Sequence, residues 1–362
     1  MHSPRTPQRF TKRSLVAVSH AIERAALAEA EDGPLIVLAL FQRQPYFSRE
    51  STVYRRIAAR ASATVVGMVG GPPPDLPDRV HGVALDEVED LAREWTVVVL
   101  SPRFGATLVA RDRREVTPAP TLEAGRLFDG HWGFRRDEAL HEAIRLRRLL
   151  AERLPAPARL ALDEAIARVR DIPSGPGEPR VEAALRLLAR RGDRHTRPAE
   201  PTEAVLDETG LRRWTDTDGV TASGALPVAL VGLRVDEPAG SPERFGRRSV
   251  AREGHAVLAT VTGVLRPVDR APRVAENEFQ LLLPGMDEPA ALDVVRRLHE
   301  AIGALTQAYP FVAYTVHAAV GVTTRRPLPT ADLRAAVDWA VRQGLPVAGL
   351  PPESADAVAG VG

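Results

Sequence analysis

Residues 34–41 read Pro-Leu-Ile-Val-Leu-Ala-Leu-Phe, an unbroken apolar run bounded by Gly33 on one side and by Gln42 and Arg43 on the other. A run this short cannot cross a bilayer as a helix. It fits a strand buried on both faces, which in turn demands a sheet covered on both sides. Two further runs of this kind, residues 63–69 and 96–100, are separated by the turn-rich Gly70-Gly-Pro-Pro-Pro-Asp-Leu-Pro77, and residues 106–110 suit another strand. Helical spacing lies between them. One helix is expected from Thr11, whose side chain suits an N-cap, through Leu15, Val16, His20 and Ala25. A second covers residues 51–61 with Val53, Tyr54, Ile57 and Ala61 on one side, and a third starts at Asp137 with Leu140, Ile144 and Leu149 inward. Strands alternating with helices predict an α/β domain over residues 8–155.

Residues 156–204 differ. Two helical pieces, 160–169 and 181–190, are interrupted by Pro173-Ser-Gly-Pro-Gly-Glu-Pro179, and a polar stretch follows. This reads as a helical linker with a flexible hinge. A second α/β pattern occupies residues 205–347, with strands at 226–235, 279–283 and 311–323 and helices at 250–265, 290–305 and 332–343. The apolar face of the middle helix is expected to hold Leu292, Val295, Leu298 and Ile302. Residues 348–362 read as a disordered tail. A chain of 362 residues is comfortable for two such domains.

The chemistry open to this chain is narrowed by what it lacks. There is no cysteine, so disulfides, zinc-thiolate sites and a thiol nucleophile are excluded. The 48 basic residues nearly balance 47 acidic ones, so nothing general draws the chain to nucleic acid or an acidic membrane. No span or signal segment is visible, which leads us to expect a cytoplasmic protein. The nine histidines lack His-x-x-x-His spacing, and neither a P-loop nor Gly-x-Ser-x-Gly occurs. No metal and no cofactor are expected.

In the C-terminal third, five landmarks stand in order: Asp207-Glu-Thr-Gly-Leu211, Arg234-Val-Asp236, Ala275-Glu-Asn-Glu-Phe279, Ala319-Val-Gly-Val322 and Val337-Asp338. In that order and spacing the region resembles the GGDEF domain of diguanylate cyclases, which implies a palm-type, ferredoxin-like antiparallel sheet with helices. In the N-terminal region, Thr11-Lys-Arg-Ser-Leu-Val-Ala-Val-Ser-His-Ala-Ile-Glu23, Phe41-Gln42-Arg43, residues 95–112 and Phe134-Arg-Arg-Asp137 resemble the DICT sensory domain. A sensor placed before a cyclase-type domain implies a bacterial signalling protein.

The GGDEF resemblance also implies where catalysis would be made. Diguanylate cyclases hold Mg²⁺ on carboxylates, and the ion neutralises the phosphates of GTP. The matching positions here are Arg234 and Asn277, a cation and a neutral amide. The two glycines that let backbone approach nucleotide correspond to Ala275 and Glu276. Residues 237–246 hold no counterpart of the Asn-Asp that helps read guanine. Glu278 and Phe279 are expected to hold the hairpin. On these grounds the chain is expected not to be an enzyme.

Binding is a separate matter. Arg266-Pro-Val-Asp269 stands at the offset of the family's Arg-x-x-Asp site for cyclic di-GMP, with Arg273 at a further matching position. A guanidinium fork suits a guanine edge or a phosphate, and a carboxylate suits guanine N–H groups. Against this, Arg-x-x-Asp also occurs at Arg168/Asp171, Arg190/Asp193 and Arg213/Asp216 in this Arg-rich chain, and a cation after a helix C-terminus is favoured by the dipole alone. In the N-terminal domain, Phe41, Gln42, Arg43, Trp95 and Phe104 are ligand candidates near the strand ends. Three readings stand: a sensor and interaction module with a signalling partner, homodimeric through its linker helices; a cyclic di-GMP effector through Arg266 and Asp269; and an enzyme of altered nucleotide chemistry.

Overall fold

A computed structural model of the chain describes residues 7–28, 34–173, 175–195, 204–215, 226–236, 247–275, 278–308, 314–325 and 327–350. They form two units: Met1–Glu115 with Ala124–Pro198, and Val116–Glu123 with Ala199–Gly362. The expected mixed α/β class holds, with two open sheets.

The first unit is built on seven strands: β1 (Gln8–Thr11), β2 (Ile36–Arg43), β3 (Ala63–Val69), β4 (Val80–Leu85), β5 (Glu94–Leu100), β6 (Gly105–Val116) and β7 (Arg126–Gly133). Their order is β1-β7-β6-β5-β2-β3-β4. Strand β2 lies parallel to β3 and antiparallel to β5. Period-two alternation divides its side chains. Val37, Ala39 and Phe41 join Leu15 and Ile22 of helix α1 (Lys12–Ala26) and Phe47, Tyr54 and Ile57 of α2 (Gln44–Ala58). Ile36, Leu38 and Leu40 face the opposite way, towards α3 (Arg136–Leu150) and α4 (Ala156–Arg170). Covering both faces is what an unbroken apolar strand requires. Thr11 caps α1 as expected, its hydroxyl oxygen accepting from Ser14 N–H at 3.3 Å.

Three expectations are corrected in this unit. Helix α3 buries Ala139, Ala143, Leu146 and Leu150; of the three expected residues Leu140 and Ile144 pack, half-buried, against that core, and Leu149 is exposed. Small alanines on the core face let this helix lie close to the sheet, which the larger leucines and isoleucine obscured. Residues 156–170 are no linker: Ala158, Leu162, Ala165, Ile166 and Val169 form one helical face buried in the first unit. The hinge is pinned as well. Glu178, at the start of α5 (Glu178–His195), accepts from Gly175 N–H and from Arg136 N–H, both at 3.0 Å. Arg136 in turn donates to the carbonyls of Ile172 and Pro173. The guanidinium of Arg186 on α5 stands 4.8 Å from the centre of the Trp132 ring.

The second unit carries α6 (Glu208–Thr215), β8 (Val228–Asp236), α7 (Arg247–Val264), β9 (Arg273–Ala275), β10 (Glu278–Pro284), α8 (Glu288–Ala308), β11 (Thr315–Thr323), α9 (Thr330–Gln343) and β12 (Val347–Gly349). Its five strands run in the order β12-β11-β8-β10-β9. Strand β8 is central and antiparallel to both β10 and β11. Ala229, Val231 and Leu233 pack with Val294, Val295, Leu298 and Ile302 of α8, whereas Leu292 is exposed. Leu230 faces Leu333 and Val337 of α9. Part of the expected tail is ordered: Ala318, Ala319 and Val320 pair in parallel with Val347, Ala348 and Gly349. Residues 351–362 lie outside the described residues, as do 311–313 of the expected strand.

Candidate functional site

Strand β8 delivers Arg234 near its C-terminal end, directly opposite Glu278 at the start of β10. Cross-strand partners of opposite charge support one another across a sheet. Here the pair is extended into a cluster. Arg234 Nε donates to Asp236 at 2.8 Å, and its NH1 lies 3.7 Å from both Glu278 and Asp338, the latter on α9. Arg334, also on α9, reaches Glu278 Oε2 at 3.2 Å. The guanidinium of Arg234 thus sits among three carboxylates. The Asp236 hydrogen bond, then the charges of Asp236, Glu278 and Asp338, hold Arg234 more firmly protonated than usual.

A shallow depression, open to solvent, adjoins the cluster. Gly232, Val274, Phe279 and Leu333 supply apolar wall, and Glu278, Arg334 and Asp338 the polar edge. Gly232 is required for the close passage of α9 over the sheet: a Cβ there would lie 2.5 Å from Val337 Cγ2.

The expected signature residues are only partly brought to this place. Ala275 ends β9 and pairs with Glu278 across the hairpin. Phe279 is 2% exposed and belongs to the core. Glu276 and Asn277 lie outside the described residues, as do residues 237–246. The partners Arg334 and Asp338 were missed as site residues. Their helical spacing of four residues places both on one face of α9, but nothing in sequence aims that face at β8 and β10.

Arg266 and Asp269 are brought together, though with each other. Asp269 is 1% exposed. Its Oδ2 accepts from Arg266 N–H at 2.8 Å and its Oδ1 from Arg266 NH2 at 2.7 Å. Arg266 NH2 also reaches Pro284 O at 2.9 Å. This pair closes the turn after α7. Arg273 is exposed, its Nε donating to Ala275 O at 3.2 Å. Beside them Arg270, which the sequence did not single out, is 1% exposed and stands 5.5 Å from the centre of the Trp214 ring.

The strand-end candidates of the first unit are spread through packing contacts. Phe41 meets Phe47 and Tyr54 edge-on at 5.4 and 5.1 Å. Gln42 is buried and donates to Arg93 O at 3.0 Å. Arg43 pairs with Glu87, Trp95 with Phe128, and Phe104 with Phe134.

Residues 1–113 match the DICT family, described as a sensory domain in diguanylate cyclases and two-component systems. No curated protein matches the chain. Among solved structures, the fold is similar to the GGDEF domain of DgcB from Caulobacter crescentus in complex with c-di-GMP, at 17% identity and a TM-score of 0.34, over 43% of this chain and 99% of that one. The diguanylate cyclase SiaD from Pseudomonas aeruginosa, in complex with its activator SiaC, matches at 19% identity and a TM-score of 0.33, over 59% and 86%. The GGDEF domain of YfiN from the same organism matches at 14% identity and a TM-score of 0.34, over 41% and 98%. These matches correct the expectation that the chain is not an enzyme: they are domains of diguanylate cyclases, an enzyme family, and the side chains at Arg234 and Ala275 do not establish loss of turnover. Among the described residues no helix is long and apolar enough to cross a membrane. Residues 1–113 are thus similar to the DICT sensory domain, and the solved structures matched over the rest of the chain are GGDEF domains.

Proposed function

We propose that this chain is a cytoplasmic signalling protein whose DICT unit receives an input and whose GGDEF-like unit serves as a regulatory module for a partner signalling protein. The observation that carries this reading is the match of residues 1–113 to a sensory family on the same chain as a mostly antiparallel sheet with a charged cluster at Arg234, Glu278 and Asp338. Helix α5 is the last described element of the first unit before the chain enters the second. Its anchors at Glu178 and Arg186 tie it to the sensory sheet and α3. Movement in the sensor therefore has a mechanical route into the chain that follows. Exposed Leu160, Val181, Leu187 and Leu188 on α4 and α5 support homodimerisation through these helices. A monomeric mass by light scattering removes that part of the reading.

Hydrogen exchange of the full chain tests the coupling. Glu178→Gln weakens the anchor of α5 and is expected to change amide protection in Arg273–Ala275 and Glu278–Pro284. Protection in those strands identical to wild type, with α5 itself loosened, overturns the reading.

A second reading, binding of cyclic di-GMP by Arg266 and Arg273, is favoured by one observation. Asp269 is spent on its own neighbour, while the Arg266 side chain is 42% exposed and Arg273 is exposed. Calorimetry with cyclic di-GMP, using Arg266→Ala and Arg273→Ala as controls, checks it. No heat in the wild type removes it.

A further inference from the structure

A polar cluster lies where α1 meets α2 in the first unit. His20 and Glu23 are three residues apart on α1 and so share a face. Glu50 comes across from α2. One ligand-capable atom of each lies within 4.8 Å of the other two, and His20 Nε2 stands 3.3 Å from Glu50 Oε1. Glu23 is 2% exposed. Its Oε1 accepts from the Ser19 hydroxyl at 3.1 Å and from the Tyr54 hydroxyl at 3.3 Å.

What sets Glu23 apart is the missing counter-charge. Of the five other buried carboxylates, four hold an arginine: Asp112 has Arg126, Glu142 has Arg145, Glu182 has Arg186 and Asp269 has Arg266. Among the described residues Glu23 pairs with no arginine or lysine, and it faces a second carboxylate instead. A buried carboxylate without a cation is costly to ionise.

We propose that His20, Glu23 and Glu50 bind a first-row divalent transition ion, of the Zn²⁺ or Mn²⁺ class, that clamps α1 to α2. The ion supplies the positive charge that Glu23 lacks and relieves the repulsion between the two carboxylates. One imidazole nitrogen with two carboxylate oxygens suits such an ion better than Mg²⁺ or Ca²⁺, which favour all-oxygen sets. The hydroxyls of Ser19 and Tyr54 orient the Glu23 carboxylate from behind, as outer-shell groups do around metal ligands. Side-chain exposures of 43% for His20 and 27% for Glu50 leave a route from solvent, with Glu23 as the floor. Three protein ligands also leave a coordination position open to water or a small molecule. A sensor whose two helices are joined by a metal gains an input in the metal itself or in what occupies that position.

The test is calorimetric titration of the chelator-treated full chain with Zn²⁺ and, separately, Mn²⁺, with Co²⁺ absorption as the spectroscopic readout. One saturable site per chain is expected. His20→Ala, Glu23→Gln and Glu50→Gln are each expected to weaken it at least about tenfold, and Tyr54→Phe about tenfold through the outer shell. His20 and Glu50 lie at the surface, so their variants keep the core, and circular dichroism verifies this. No saturable binding of either ion overturns the proposal. So does binding of wild-type strength in His20→Ala, which marks histidines elsewhere as the ligands. The result is independent of what the second unit does.

Discussion

Arg126 on β7 and Asp112 on β6 form an ion pair in the interior of the first unit, with side chains 0% and 2% exposed. Arg126 also donates to Tyr46 Oη at 2.9 Å and lies 5.4 Å from the centre of the Phe128 ring. Asp112 has a second task, since its Oδ1 accepts from Arg114 N–H at 2.9 Å, where the backbone turns through a positive φ of 57°. Removing one partner of such a pair strands the other charge without water. Asp112→Ala is therefore expected to cost about 3–5 kcal/mol. Arg126→Met combined with Asp112→Leu should cost less than the single change. Urea unfolding of the wild type and the two variants decides it, and a double variant less stable than Asp112→Ala would overturn the account.

Two glycines make opposite predictions from one geometry. A Cβ on Gly130 would lie 2.2 Å from Val109 O and 2.7 Å from Ala110 Cα, both backbone atoms that cannot step aside. Gly130→Ala is expected to destabilise by about 1–3 kcal/mol. Gly303, inside α8, has nothing within 4 Å of a Cβ. Gly303→Ala is expected to stabilise by about 0.5–1 kcal/mol, because alanine loses less backbone freedom in a helix. Thermal melts of both variants read the two signs directly.

These residues also mark how far sequence reasoning reached. Strands β2, β3 and β5 were legible because burial on both faces leaves an unbroken apolar signature. Strand β7 was not. Its inward residues are Arg126, Phe128, Gly130 and Trp132, and an inward arginine and glycine erase the apolar alternation on which such a reading depends. Strand β4, Val-His-Gly-Val-Ala-Leu, failed for a related reason: Gly82 leaves room for Pro72 and Leu76, a long-range fit with no local signal. The same limit applies to sites. Arg234, Glu278 and Asp338 were noticed because a family pattern pointed to them, whereas the meeting of Asp338 with Arg234, and the part of Arg334, enter only once α9 packs on the sheet. His20 and Glu50, 30 residues apart, have no pattern in common. Their meeting is made by the fold alone.

Arg234 neutralises carboxylates that would otherwise face one another. Arg234→Ala leaves Asp236, Glu278 and Asp338 with Arg334 as the nearby cation among the described residues. The cluster is partly exposed, so the direct loss of stability is expected to stay within about 1 kcal/mol. The informative readout is the response to a divalent ion. Hard carboxylate oxygens around a missing cation favour Mg²⁺, so millimolar MgCl₂ should raise the melting temperature of Arg234→Ala more than that of the wild type. Equal shifts in both proteins would mean that the three carboxylates do not converge on a shared position.

Glu23 makes stability depend on pH in a direction opposite to most carboxylates. Its folded value of about 7 lies above the ordinary 4.5, because burial and Glu50 penalise the charged form while Ser19, His20 and Tyr54 offset only part of this. The native state therefore holds more protons than the unfolded state between those two values, and stability falls as pH rises through that window. Below 4.5 the group contributes nothing to the difference; above about 7 the full penalty is present, on the order of 3 kcal/mol. Glu23→Gln keeps the shape and the neutral hydrogen bonds but cannot ionise. In chelator, the variant should gain on the wild type progressively from pH 4.5 to about 7 and then hold a constant lead. Saturating Zn²⁺ should reverse the sign above about pH 7, since only the wild type then retains the carboxylate that the ion requires. A difference that stays flat across this range would place Glu23 in water, and with it remove the reason for a cation between α1 and α2.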